Sequence, residues 1–126
     1  LICRLRDTLI KPGAHLGGPC THANACPMMG TDWCHFKTRL PRSRAHMQAK
    51  AATVPFEDES FSWLAVSRHA LILPKFRIIA PPLVNKVAAT FKTCGAAGLS
   101  QSVIASRDKP AYKLARNMKR GGGLDV

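Results

Sequence analysis

Between Cys20 and Phe36 the chain reads CTHANACPMMGTDWCHF. No other stretch restricts the fold so strongly. Gly, Pro, Asn and Asp interrupt it too often for a helix or a strand, and its apolar residues keep neither the helical nor the strand period. Yet it holds three of the five cysteines, two histidines, and Trp33 and Phe36 as anchors. Residues 18–36 are therefore expected to form an ordered loop. A loop of that length in a compact chain usually has a job, and its thiols are the candidates for holding it in place.

The spacing is Cys20-x5-Cys26-x7-Cys34, with Cys94 sixty residues further on, at the end of an expected strand. Thiolates are soft ligands, and four of them suit zinc or an iron–sulfur cluster. Structural zinc sites usually contain a tight Cys-x2-4-Cys pair, which is absent here. A [4Fe–4S] cluster spreads its irons over a larger body and accommodates longer gaps, so spacing leans toward the cluster. A loop of inert buried thiols is the plain alternative. An odd number of cysteines and no secretory pattern argue against a disulfide framework. Cys3 falls within a helical pattern and reads as a small core residue. His22 and His35 read as surface or hydrogen-bonding residues. Cys34 and His35 do not make a nucleophile and base, because adjacent side chains in extended chain diverge. No catalytic residue is assigned.

Around the loop the pattern is mixed. Ile2, Leu5 and Leu9 recur at helical spacing until Pro12-Gly13, and a short strand is expected at 14–17. Pro41 suits the first turn of a helix running to about Ala52. Phe61–Val66 reads as a strand buried on both faces after an acidic entry at Glu57–Glu59. Strands are expected at 76–80, 87–94 and 101–105. Asp108 can cap a helix over Lys109–Arg120 that Gly121–Gly123 would end. The organisation expected is one partial domain over 1–126: a helix and strand (1–17), the cysteine loop (18–36), a basic helix with strands (37–106), and a basic C-terminal helix and tail (107–126). Charges at Arg4, Arg6, Asp7 and Lys11 exclude a signal-peptide core at the start. The chain reads as a piece of something longer. No run of about 18 apolar residues exists to span a membrane.

Nineteen Lys and Arg against seven Asp and Glu leave a formal charge of +12. That balance favours a polyanionic partner. Lys37, Arg39, Arg42, Arg44 and Lys50 come with no acid between Trp33 and Phe56, and Lys109, Lys113, Arg116 and Arg120 line one face of the last expected helix. These nine residues are the candidate RNA contacts, through phosphate and shape more than base reading, since aromatics for stacking are few: Tyr112, Trp33 and Trp63. Lys37 and Arg39 would also offset the charge of a cluster beside Cys34.

The segments CPMMGTDWCHF, RLPRSRAHMQAK and PFEDESFSWLAVSR, with Arg107-Asp108-Lys109 ahead of a basic helix, resemble the methyltransferase-like small-ribosomal-subunit proteins of mitochondria and their bacterial relatives. The similarity runs from about Gly13 to Arg120. It implies an α/β fold, the C-terminal portion of a Rossmann-like class I methyltransferase with a cysteine-rich metal-binding loop inserted. It implies that Cys20, Cys26, Cys34 and Cys94 match four ligands of a [4Fe–4S] cluster. Zinc stays the alternative. It also implies work in small-subunit assembly or translation, with ribosomal RNA and ribosomal proteins as partners, in a bacterial cytoplasm or mitochondrial matrix. Lys50-Ala51-Ala52, Gly95-Ala96-Ala97-Gly98 and the KRGGG tail depart from the family pattern. The glycine-rich turn that would hold S-adenosylmethionine is not found, so methyl transfer is expected only of a longer protein. Nothing in the sequence points to a homo-oligomer.

Overall fold

The structure is a computed structural model, and it describes residues 1–32 and 34–125. Trp33, expected to anchor the loop or stack on a base, lies outside the described residues. Its first element is helix α1 (Ile2–Ile10), followed by strand β1 (His15–Gly18). The expected Ile2/Leu5/Leu9 stripe is not the buried face of α1. Leu5 is exposed, and the one buried residue is Arg6.

After the cysteine loop, β2 (Phe36–Pro41), α2 (Arg44–Ala49) and β3 (Phe56–Phe61) form one unit. The β2 and β3 strands pair antiparallel from Phe36↔Phe61 to Pro41↔Phe56, which sets Arg39 opposite Asp58. Opposite charges at facing positions favour that register. Pro41 thus ends a strand instead of starting a helix. The helix begins three residues later, capped by the Ser43 hydroxyl, which accepts from His46 N at 3.2 Å. Strand β4 (Ala65–Ser67) pairs antiparallel with β1. The strand expected at 61–66 is therefore two short ones, and neither is buried on both faces: β3 is mostly exposed and β4 half so.

A five-stranded sheet holds the core. It comprises β5 (Phe76–Ile78), β6 (Leu83–Val84), β7 (Ala88–Gly95), β8 (Gly98–Ala105) and β9 (Gly123–Leu124), with helix α3 (Lys109–Ala115) packed on it. Strand β7 pairs along its whole length with β8, and also with β5 and β6, while β9 pairs with β5. Alternation decides the faces. Ala89, Phe91 and Thr93 of β7 point into the core with Ile78, Ile104, Ala115 and Leu124, so Cys94 projects from the opposite face. At Gly95 a Cβ would sit 2.6 Å from the Phe76 ring, so only glycine lets β5 pack there. Every pairing among the described residues is antiparallel. The described residues form a mixture of helices and small sheets, and no parallel crossover of the expected Rossmann-like sheet occurs among them.

Asp108 caps α3 as expected, accepting from Ala111 N at 3.3 Å. The helix stops at Ala115, which is fully buried, and does not run to Arg120. Tyr112, a stacking candidate from sequence, instead packs against the core and donates its hydroxyl to the Asn85 carbonyl.

Candidate metal centre and basic surfaces

Residues 19–35 contain no helix or strand among the described residues. Side chains from outside hold them. Arg6 Nη2 donates to the carbonyls of His22 at 2.6 Å and Asn24 at 2.7 Å. Arg77 Nε donates to Pro19 O at 2.8 Å, and Thr21 Oγ1 to Lys75 O at 3.2 Å. Asn24 Nδ2 reaches Ala96 O at 3.0 Å, and Ser62 Oγ reaches Cys34 O at 2.7 Å. Gly18 starts the loop with φ of +146°, and a Cβ there would lie 2.5 Å from the Trp63 ring, so glycine is required on both counts.

So tied, the loop brings Cys20, Cys26 and Cys34 to the wall of one cavity, and Cys94 completes it from β7. The β5–β7 register puts Arg77 directly opposite Cys94. The Cys94 thiol lies 3.6 Å from His22 Nε2. Cys3, read from sequence as core, is in contact with Cys26 and lines an adjoining cavity with Cys20, Cys26 and Cys34. All five cysteines are free thiols.

Burial pushes the Cys34 thiol up to about 11, and the charges of Cys20, Cys94 and Cys26 add to it, while Arg120 opposes them. Burial also raises Cys94, with Cys20 and Cys26 contributing. Burial lowers His22, helped by Arg6, so this imidazole stays neutral. Without metal the Cys34 and Cys94 thiols therefore stay protonated at neutral pH, and loading a metal on them would release protons.

Among the described residues no group of three or more His, Cys, Asp or Glu side chains is gathered tightly enough for a single metal ion. The donor set nevertheless suits a larger sulfur-ligated group: four thiols around one cavity, with the Nε atoms of Arg6 and Arg120 buried and unpartnered nearby. Sequence reasoning missed Arg6 and Arg77. The signal for Arg77 was a cation inside the apolar strand FRIIA. For Arg6 there was none, because the helix pattern rewarded leucines. The charge facing the thiols comes from these arginines and Arg120, not from Lys37 and Arg39.

The first basic group divides in the structure. Arg39 holds Asp58 through Nε at 2.7 Å and Nη2 at 2.9 Å, and lies 3.8 Å over the Phe56 ring. Glu57 collects Lys50 at 2.8 Å, His46 at 3.3 Å and Arg42 at 3.4 Å. The Lys50 hydrogen bond, more than any other, holds the Glu57 carboxyl down at about 2. Arg39, Arg42 and Lys50 are thus spent on neighbouring acids, leaving Lys37 and Arg44 exposed on this unit. On α3, Lys109 and Lys113 are exposed, as is Arg116 at its cap, and Arg107 and Lys119 extend the patch. Arg120 leaves it: its Nε is buried, and its charge acts on Cys34.

Fold and site together define a small, strongly basic module of mixed helices and antiparallel strands, with four cysteines around a cavity between its cysteine loop and its main sheet. The family model described as mitochondrial small ribosomal subunit Rsm22 matches residues 1–125, and the chain belongs to that family. That membership ties it to the small ribosomal subunit. No curated protein matches it. No helix among the described residues is long and apolar enough to cross a membrane.

Proposed function

We propose that this chain is a metal-clipped, RNA-binding module serving assembly or translation by the small ribosomal subunit, with small-subunit RNA and ribosomal proteins as partners, in a mitochondrial matrix or bacterial cytoplasm. The observation that carries the reading is the convergence of four thiols from two distant segments on one cavity. The spacing Cys20-x5-Cys26-x7-Cys34, without a tight Cys-x2-4-Cys pair, favours a [4Fe–4S] cluster over zinc. When bound, the cluster supplies a structural cross-link. Cys20, Cys26 and Cys34 would hold it from the loop and Cys94 from β7. The α3 patch and the exposed Lys37 and Arg44 then supply phosphate contacts. Methyl transfer is assigned to no residue here. In this reading it belongs to a longer protein, whose Rossmann-like sheet and S-adenosylmethionine site the present strands would adjoin.

Anaerobic purification with iron and sulfide measured per chain is the direct test. Four iron and four sulfide with broad visible absorption are expected; zinc alone would remove the cluster reading. Cys26→Ser is expected to lose iron, thermal stability and RNA affinity together. An iron-free Cys26→Ser chain that binds RNA as tightly as the parent would break the coupling.

A further inference from the structure

Three arginines from separate segments lie near the four thiols: Arg77 lines their cavity, Arg6 lines the adjoining one, and the Arg120 charge acts on Cys34. Arg6 comes from α1 and is only 3% exposed. Its guanidinium has Asp7 at 3.0 Å, but Nη2 is directed to the loop carbonyls and Nε has no partner. Arg77 comes from β5 and lines the cavity itself, opposite Cys94. It takes Pro19 O through Nε and Gly121 O at 2.9 Å through Nη1, clipping the loop entrance to the segment that carries the third arginine. Arg120 follows α3, with Nε buried and unpartnered. Among the described residues neither Arg77 nor Arg120 has a carboxylate partner.

Three other cations, Arg39, Arg42 and Lys50, do find acids on the surface. A cation withdrawn from water without a counter-charge is costly. Among the described residues Asp7 serves Arg6, and the sulfurs are the candidate counter-charge for Arg77 and Arg120. Four thiolates outweigh a dicationic metal core, so a metal–thiolate unit is a net anion. Reduction by one electron makes it more so, and nearby fixed cations favour the reduced form.

We infer that Arg6, Arg77 and Arg120 form a cationic collar that retains an anionic metal–thiolate unit in this cavity and sets its reduction potential. The inference rests on the metal-centre reading above and assigns Arg120 to the cavity instead of RNA. The collar residues position and polarise; the cysteines bind. Arg77 adds geometry to charge, because its fork spans two carbonyls that a lysine could not reach together.

The test uses the anaerobically purified full chain, as wild type and as Arg120→Gln, Arg120→Lys and Arg77→Lys variants, with circular dichroism confirming the fold. Iron and sulfide per chain, the midpoint in a dithionite titration, and iron release to a chelator are read. Arg120→Gln is expected to shift the oxidised-to-reduced ratio about tenfold, equivalent to about 59 mV more negative for one electron, with Arg120→Lys restoring the parent value. Arg77→Lys is expected to keep the potential but release iron about tenfold faster, having lost the fork. A loaded Arg120→Gln chain with unchanged potential and release overturns the collar and leaves the cluster reading standing. A wild-type chain that binds no metal overturns both. Zinc in place of iron overturns only the cluster, and the collar is then supported by tenfold faster zinc release from Arg120→Gln and overturned by equal release.

Discussion

Two triple substitutions separate bulk charge from positioned charge. Lys109→Gln/Lys113→Gln/Arg116→Gln removes three cations from the exposed α3 patch, and Arg39→Gln/Arg42→Gln/Lys50→Gln removes three that are held by Asp58 and Glu57. Each takes the same three charges from a chain with nineteen basic residues. If affinity followed net charge alone, the two would weaken RNA binding equally. If contacts are made by exposed cations, they differ sharply. Each phosphate contact contributes about 0.7 to the slope of log affinity against log salt on single strands and about 0.9 on duplex. Loss of three therefore flattens the slope by about 2 to 3 for the α3 variant. The ion-paired variant should lose less than about one unit, since breaking a pair to reach phosphate returns little. It also frees two acids, which lowers affinity uniformly without flattening the slope. Fluorescence anisotropy with a labelled small-subunit RNA hairpin over a potassium chloride series reads both numbers. Equal slopes for the two variants would refute the division of the basic surface drawn here.

Three further outcomes follow from particular contacts. The Glu57 carboxyl is depressed from 4.5 to about 2, chiefly by Lys50, so its contribution to the β2–α2–β3 unit is present above pH 4.5 and lost as pH falls through about 2. Acid unfolding followed by amide exchange in that unit should move to higher pH in Lys50→Gln, and an unmoved transition would deny the contact its role. Phe91→Ala, at a fully buried ring in the centre of the core, is expected to cost about 3–5 kcal/mol in urea unfolding. Gly18→Ala should cost about 1–3 kcal/mol and loosen iron retention, because it strains the loop entrance and strikes Trp63.

Much of the site was legible in the sequence, and less of the fold. The cysteine loop announced itself by what it lacked, and the strand to Cys94 by the alternation through Phe91 and Thr93. Asp108 as a cap was equally readable. Local signals misled where a distant strand decided the outcome. Pro41 is a fair helix start, yet pairing with the acidic segment 56–61 makes it a strand end, and only the register shows that Arg39 meets Asp58. The same unit gives three of the candidate RNA contacts, Arg39, Arg42 and Lys50, acidic partners. Burial of Arg6 could not be read either, because its partners are carbonyls of His22 and Asn24, which no side-chain pattern encodes.

The ordering of the cysteine loop is the cost that the proposed metal clip would offset. Sixteen described residues from 19 to 35 are ordered without regular structure, and fixing each costs about 1 kcal/mol or more in backbone entropy. Among the described residues, six side-chain-to-backbone hydrogen bonds tie that segment to the rest of the chain, from Arg6, Thr21, Asn24, Ser62 and Arg77. At about 1 kcal/mol each they return about 6 of the roughly 16 kcal/mol required. The core offers little more, since its buried cluster lies on the face of β7 away from Cys94. The remaining ~10 kcal/mol is at the lower end of what a structural metal site contributes on binding, about 10–16 kcal/mol. In the proposed reading, four sulfurs on one inorganic centre would supply the term that this loop's own contacts lack. The loop leads directly into β2 and its exposed Lys37, so the proposed clip would also fix where that strand leaves the cavity.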